Sequence, residues 1–378
     1  MSSDAATQPN AEASKAAQVL TAPWKATANF RPVLILVVAM FVFFSLTQSV
    51  FSSEQNLKNL LADSAILWVI AMGMTFVLIS GGFDLSVGAT TALVGIFMVK
   101  VLALGIPGGL VLAMMIAFGA LVGAVVNGIP IGRLNLSVFV VTLATMIALT
   151  GVVELWSGGE SYYVTAPIAG MIGVDSILGL PVPIWIMGAV FLFSFYVQRL
   201  TYFGRDVYAI GGSPAAARLS GIRVPRTLAL VYGLMGACAA LAGAIAVGRV
   251  GAATPTVDST IALQAIAAVL LGGTALTGGS GGVGGTAVGV LFIAILQNGL
   301  SLSGVSSDWQ NVVTGVILLL AVLSDRFQLS DVFSRSSEED DGPGDRDAPP
   351  LETAGAGAAG MLDGIGGPSA GHKTPLDG

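Results

Sequence analysis

Gly204-Arg205-Asp206-Val207-Tyr208-Ala209-Ile210-Gly211-Gly212-Ser213-Pro214-Ala215-Ala216-Ala217-Arg218-Leu219-Ser220-Gly221 is a polar stretch set between two long apolar runs, and its reading decides both the class of the chain and its orientation. Ser213 is a good N-cap, Pro214 suits the first helical position, Ala215 to Ser220 are mostly helix formers, and Gly221 can take the left-handed conformation that closes a helix. The spacing predicts about two turns of helix over Ser213 to Ser220. Arg199, Arg205, Arg218, Arg223 and Arg226 surround it, which places the segment on the side of a membrane that retains positive charge. A short helix held there offers a rigid knob to a partner on that side, with the face of Ala216, Ala217 and Leu219 turned toward it. A solvated loop whose arginines only set topology is the alternative, and complete caps at both ends weigh against it.

The composition around this stretch carries the same message. Of 378 residues, 54% are hydrophobic and 10% are charged, against about 25% charged in soluble domains. That is a polytopic membrane protein. The net charge of -6 comes largely from the tails, notably Glu338 to Asp341, so it gives no support to nucleic-acid binding. The first 30 residues are polar, with no apolar run before Val33, and no cleavable secretory signal is expected. The one cysteine, Cys238, excludes an intrachain disulfide and a cysteine-based metal site. Neither a metal nor another cofactor is expected.

Apolar runs of spanning length fall near Val33 to Phe51, Leu61 to Ser80, Val87 to Leu104, Gly109 to Val126, Ser137 to Trp156, Pro183 to Leu200, Pro225 to Val247, Thr260 to Leu276, Thr286 to Leu302 and Gln310 to Leu323. An even count puts both tails on one side. With the N-terminus inside, Arg133, the five arginines of the loop and Arg326 all fall inside, while Lys58, Lys100 and Arg249 lie outside or at the outer face. The long outer loop Ser157 to Val182 then carries Glu160, Tyr162, Tyr163 and Asp175. Small residues recur at helical spacing, as Gly119 with Gly123, Gly233 with Ala237, Ala239 with Gly243 and Gly285 with Gly289, and let helix backbones approach closely in lipid. The expectation is an all-α membrane protein of about ten transmembrane helices in a compact, Gly-rich bundle. Residues 1–30 are expected to form a disordered cytoplasmic tail, 31–327 the transmembrane domain, and 328–378 a second disordered cytoplasmic tail.

Catalytic signatures are present in letter only. Gly278-Gly279-Ser280-Gly281-Gly282 fits a nucleophile elbow, but the only histidine, His372, lies in the tail and no base is available. Gly279, Gly281 and Gly284 fit a dinucleotide fingerprint, yet they follow a membrane run with no βαβ unit around them, and read as a hinge or tight turn. No Gly-Lys pair occurs, so there is no phosphate-binding P-loop, and any nucleotide hydrolysis must come from another chain. Catalytic residues are therefore expected to be none. The better functional signal is polar residues inside the runs, where burial is costly: Asp84, Ser86, Asn127, Thr142, Thr145, Gln264 and Asn298. For Asp84, an N-cap of the third run and a place in a translocation pathway are both open. For Thr142 and Thr145, hydroxyls bonded to the preceding turn are the plainer reading. Neutral hydroxyls and amides suit a polyhydroxylated, uncharged solute.

Four stretches in order carry a resemblance over roughly Leu57 to Asp325. They are Ile79-Ser80-Gly81-Gly82-Phe83-Asp84-Leu85-Ser86-Val87-Gly88, then Val140-Val141-Thr142-Leu143-Ala144-Thr145-Met146, then Gly204 to Gly212 running into Ala216-Ala217-Arg218-Leu219-Ser220-Gly221, and last Gly272-Gly273-Thr274-Ala275-Leu276. The chain resembles the membrane subunit of bacterial ABC importers of the ribose type. That resemblance implies a type II importer-like bundle in the bacterial inner membrane that moves a monosaccharide and has no catalytic site of its own. It implies as partners a second permease copy (a homodimer), a cytoplasmic ATP-binding subunit, an extracytoplasmic solute-binding protein and membrane lipid. By the same resemblance Gly212, Ser213, Pro214, Ala216, Ala217, Arg218, Leu219 and Gly221 form the coupling helix that fits a groove on the ATPase. Where the family often has Asn, an acid, Gly and a base, this chain has Ser213, Ala215, Ala144 and Ser280. An ion-coupled secondary transporter is the alternative, weakened because Asp63, Asp84, Lys100 and Glu154 sit toward the ends of runs.

Overall fold

The computed structural model describes residues 31–320 and 323. The expected tails, residues 1–30 and 328–378, lie outside the described residues, as do 321–322 and 324–327. The fold is built on two helices, α2 (Glu54–Ile79) and α10 (Val224–Val250), whose most apolar stretches are 89% and 72% buried. The side chain of Ser53 caps α2 by accepting from the Asn56 amide, and the helix stops at Ser80 before Gly81, which has φ +83°. The two helices run antiparallel: Asp63 pairs with Arg249 at one end, Gly73 faces Cys238 midway, and Gly82 lies beside Tyr232 at the other.

Around this pair lie α1 (Arg31–Thr47), α3 (Val87–Leu102), α4 (Gly108–Leu134), α5 (Val138–Ser157) and α7 (Val182–Leu200). A short helix, α6 (Pro167–Gly173), and two two-residue hairpin strands, β2 (Ser176–Ile177) and β3 (Leu180–Pro181), fill the loop between α5 and α7. After α7 come α8 (Tyr202–Gly212) and α9 (Pro214–Leu219), then α10, α11 (Thr260–Leu271), α12 (Val283–Leu302) and a last helix, α13, over residues 307–320. Strands β1 (Tyr162–Tyr163) and β4 (Ala252–Ala253) pair antiparallel, tying that loop to the end of α10.

Small residues bring α4 onto α10. A Cβ added to Gly119 would fall 2.5 Å from the Gly236 carbonyl oxygen, so neither backbone can carry a side chain at the crossing. The expected pair of Gly285 with Gly289 works the same way, packing α12 onto Gly272 and Ala268 at the end of α11. Within α4, Gly123–Gly128 forms a π-helical turn. Its cause is Pro130, which lacks the N–H that the Val126 carbonyl would accept, and the local register widens to absorb the loss.

The peripheral helices α4, α5 and α7 bury only 28%, 28% and 22% of their most apolar stretches, and Leu155, Leu192, Phe193 and Ile147 face outward. An apolar exterior over a small-residue interior is what a hydrocarbon solvent demands.

All ten expected runs contain helix, but six helices among the described residues are long and apolar enough to cross a membrane. The runs expected at Val33, Val87 and Thr260 give shorter helices α1, α3 and α11. The eighth run ends at Leu271 rather than Leu276, because Gly272 and Gly273 close α11 with Gly273 at φ +82°. The eleven-residue helix α8 was not anticipated from the sequence.

Candidate functional site

Three features concentrate the polar chemistry of the bundle. The first is the α8–α9 element. Thr201 caps α8 by accepting from the Gly204 amide at 3.2 Å, and Ser213 caps α9 by accepting from the Ala216 amide at 3.2 Å. Pro214 occupies the first position of α9, and Gly221 closes it at φ +84°. Both caps expected from sequence are therefore present. The expected face is not. Ala217 is buried against Ile210 and Val224, whereas Leu219 is 91% exposed and Ala216 is exposed with it. The reason is helical geometry: about 100° per residue puts position 219 nearly opposite 217 and about 60° from 216. Ala217 is thus the anchor of α9, and Leu219 is its outward tip. Arg218 ties the element to α4 by donating to Asn135 Oδ1 at 2.9 Å, where Asn135 adopts φ +49° at the end of that helix. Arg133, Arg218, Arg223 and Arg226 line one concavity of about 650 Å³ beside α9.

Behind α9, three backbones meet with no side chain between them. The Gly279 amide donates to the Ile79 carbonyl at 2.9 Å, and a Cβ on Gly211 would fall 1.8 Å from that same oxygen. The glycine-rich stretch predicted as a tight turn is one, with Gly278, Gly279 and Gly281 at φ +88°, +74° and +112°. Tyr208 pins it by donating to the Gly281 carbonyl at 2.6 Å, and Gln198 accepts from the Val283 amide at 3.2 Å. Burial raises the Tyr208 phenol above its ordinary range, so it stays protonated and remains a donor at physiological pH. Ser280 stands in this turn among the glycines.

The second feature gathers Asp84, Ser86 and Asn127. All three are buried. Asp84 Oδ1 accepts from the Ser86 amide at 2.8 Å and from Ser86 Oγ at 2.6 Å, and Asn127 donates to Ser86 Oγ at 2.8 Å and to both Asp84 oxygens at 3.3 Å. Asn127 sits in the π-helical turn of α4. A buried carboxylate held by these donors locks the start of α3 to α4. Asn127→Ala is expected to lower stability by about 2 kcal/mol, because it leaves buried Asp84 and Ser86 oxygens short of a donor. In detergent melting, Asp84→Asn combined with Asn127→Ala should then lose less than the two singles together, as contacting groups couple.

The third feature is a pair of largely apolar cavities with polar groups in their walls. One, of about 220 Å³, is lined by Gly88, Thr91, Thr254, Thr256 and Asp258 with apolar residues of α3 and α10. The other, of about 370 Å³, is lined by Asp63, Ser64, Gln264, Gln297, Asn298, Ser301 and Gln310 with apolar residues of α2, α11 and α12. Asn298 exchanges amide hydrogen bonds with Asn56, at 2.9 and 3.2 Å. Gln264 and Asn298 are thus brought together, while Asp84, Ser86 and Asn127 form a separate closed cluster that lines neither cavity. Thr142 and Thr145 are buried on α5, and Thr142 Oγ1 donates to the Val138 carbonyl at 2.9 Å, the plainer reading given above. Thr91, Thr254, Thr256 and Asp258, in the wall of the smaller cavity, are not among the polar residues singled out from the sequence. In sequence, Thr254 to Thr260 is a polar, Pro-containing string between two apolar runs, with nothing local to mark it off from a turn.

A family model described as branched-chain amino acid transport system / permease component matches residues 56–322. The chain is 40% identical over 296 residues to the ribose import permease protein RbsC of Escherichia coli (strain K12), covering 77% of this chain and 92% of that protein. It is 41% identical over 296 residues to the ribose import permease protein RbsC of Bacillus subtilis (strain 168), covering 76% and 89%. It is 33% identical over 352 residues to the xylose transport system permease protein XylH of Escherichia coli (strain K12), covering 76% and 89%. No solved structure matches the chain.

Proposed function

The chain belongs to the branched-chain amino acid transport system / permease component family, and from that premise we infer that it is the membrane subunit of an ATP-driven importer of a monosaccharide. The observation that carries this reading is the near end-to-end match to the ribose import permeases, at 40% identity over 92% of the Escherichia coli protein. The family description names amino acids, but the three relatives above, each matched over most of its length, are named for ribose and xylose. The pentose class is therefore favoured, and an ion-coupled carrier is not.

The subunit is a multi-pass protein of the bacterial inner membrane and a transport component rather than an enzyme. We assign ten transmembrane segments to it, six long helices and four shorter ones, in a type II importer-like bundle. Both termini and the α8–α9 element face the cytoplasm, where Arg133, Arg218, Arg223 and Arg226 gather around one concavity. An ATP-binding subunit docks on α9 through Leu219 and Ala216, a solute-binding protein delivers the sugar outside, and a second copy of the chain completes the pathway. The apolar flanks of α5 and α7 meet lipid.

Reconstitution tests the reading. Proteoliposomes holding this chain with its ATP-binding and solute-binding partners should accumulate labelled ribose or xylose when ATP is enclosed, and should not when a non-hydrolysable analogue replaces it. Uptake driven by an ion gradient without ATP would establish the carrier instead.

A further inference from the structure

We propose that the connection between α10 and α11 is the station at which the translocated sugar is held, with Asp258, Thr256, Thr254 and Thr91 as its polar contacts. The inference rests on the importer reading and adds the place and chemistry of recognition. It starts from where the backbone goes. After pairing with β1, the chain leaves Ala253 beside Gly95 of α3 and reaches Asp258 beside Gly88, where a Cβ on Gly88 would fall 2.2 Å from the Asp258 carbonyl oxygen. Seven helical residues separate Gly88 from Gly95, so the connection travels about 10 Å back into the bundle before α11 begins. Five residues of extended chain reach about 17 Å, enough for that descent.

Irregular backbone at such depth is tolerated where it is buried in protein or lines a water-filled cavity. Here a cavity of about 220 Å³ is present, with Thr91, Thr254, Thr256 and Asp258 in its wall. Thr254, Thr256 and Asp258 are exposed, not packed away. Asp258 Oδ1 is occupied, accepting from the Thr260 amide at 2.9 Å and the Thr260 hydroxyl at 2.7 Å. Its Oδ2 has no partner among the described residues and is free to accept from a ligand. A carboxylate oxygen and three threonine hydroxyls line one cavity without a cation in its wall; the Thr91 hydroxyl donates to the Val87 carbonyl at 2.8 Å and is left to accept, and the set matches an uncharged solute that donates and accepts through its own hydroxyls. The same wall holds no cation to receive the carboxylate of a free amino acid. Ile66 and Ile261 line this cavity and also the 370 Å³ one that holds Gln264 and Asn298, so the two cavities share these side chains as a common wall.

The test uses the full chain in proteoliposomes with its ATP-binding and solute-binding partners. The single natural cysteine is replaced (Cys238→Ser), and Thr256→Cys supplies the only thiol. A water-soluble maleimide should label position 256, ribose or xylose should slow that labelling at least fivefold, and leucine should leave it unchanged. Leu192→Cys, on the outward face of α7, should stay unlabelled. Asp258→Asn keeps the Oδ1 acceptor but puts a donor at the second position, and should cut sugar uptake at least tenfold while the protein inserts normally. No labelling at position 256, labelling that sugar does not slow, or Asp258→Asn uptake at the parent rate would overturn the proposal. Protection by leucine in place of sugar would overturn the polyol assignment. Failure of the parent complex to take up either sugar with ATP would instead count against the importer reading.

Discussion

Leu219→Asp should abolish ATP-driven uptake and release the ATP-binding subunit on co-purification, while the chain inserts and melts like the parent. Leu219 is 91% exposed at the tip of α9, so the substitution removes no internal contact. On docking, however, the new carboxylate would be buried without a partner, at a cost of about 4 kcal/mol, close to a thousandfold in affinity. Ala217→Asp should also end transport, but by a different route. Ala217 is packed against Ile210 and Val224, so a charge there unseats α9 from the bundle and should lower the melting temperature as well. The pair of variants therefore separates a docking tip from a structural anchor. Recovery of the ATP-binding subunit with Leu219→Asp at the parent yield, together with normal uptake, would remove α9 from the coupling path.

The caps of α9 are legible in local sequence, and its inward face is not. Ser213, Pro214 and Gly221 act on the backbone within a few residues of themselves, and their caps are found where the sequence places them. Which side of a two-turn helix of alanines looks inward depends on Ile210 and Val224, and no periodicity is long enough to reveal that. The apolar runs were legible for the same reason as the caps, since a membrane solvent acts on each run alone. The descent of 254–258 into the bundle was not, because only the absence of a side chain at Gly88 permits it, and that contact joins residues 170 positions apart. Locally, Thr254-Pro255-Thr256 reads as an ordinary turn between helices. Asp84 lay between two readings, cap or pathway, and the structure gives its carboxylate internal partners from Ser86 and Asn127. Asn127 reaches it from the π-helical turn that Pro130 induces, a register change that a regular 3.6-residue period would miss.

Gly211→Val should uncouple the transporter: the ATP-binding subunit stays bound and hydrolyses ATP, and sugar uptake falls more than tenfold. The glycine closes the contact through which α8 touches the end of α2 and the turn that opens α12, and its Cβ would fall 1.8 Å from the Ile79 carbonyl and 2.5 Å from the Gly279 amide. A side chain there must part three backbones. Alpha9 keeps its own caps from Ser213 and Gly221, so Leu219 is still presented and docking survives. What is lost is the passage of movement from α9 to α2 and α12, because interfaces of this kind shift as packed bodies and not as soft springs. Tyr208→Phe tests the same path more gently. It removes the bond to the Gly281 carbonyl, worth about 1 kcal/mol net, and should slow uptake two- to threefold without loss of the ATP-binding subunit. Equal losses of subunit binding and uptake in Gly211→Val would make the contact merely structural, and undiminished uptake in both variants would place the coupling path elsewhere in the bundle.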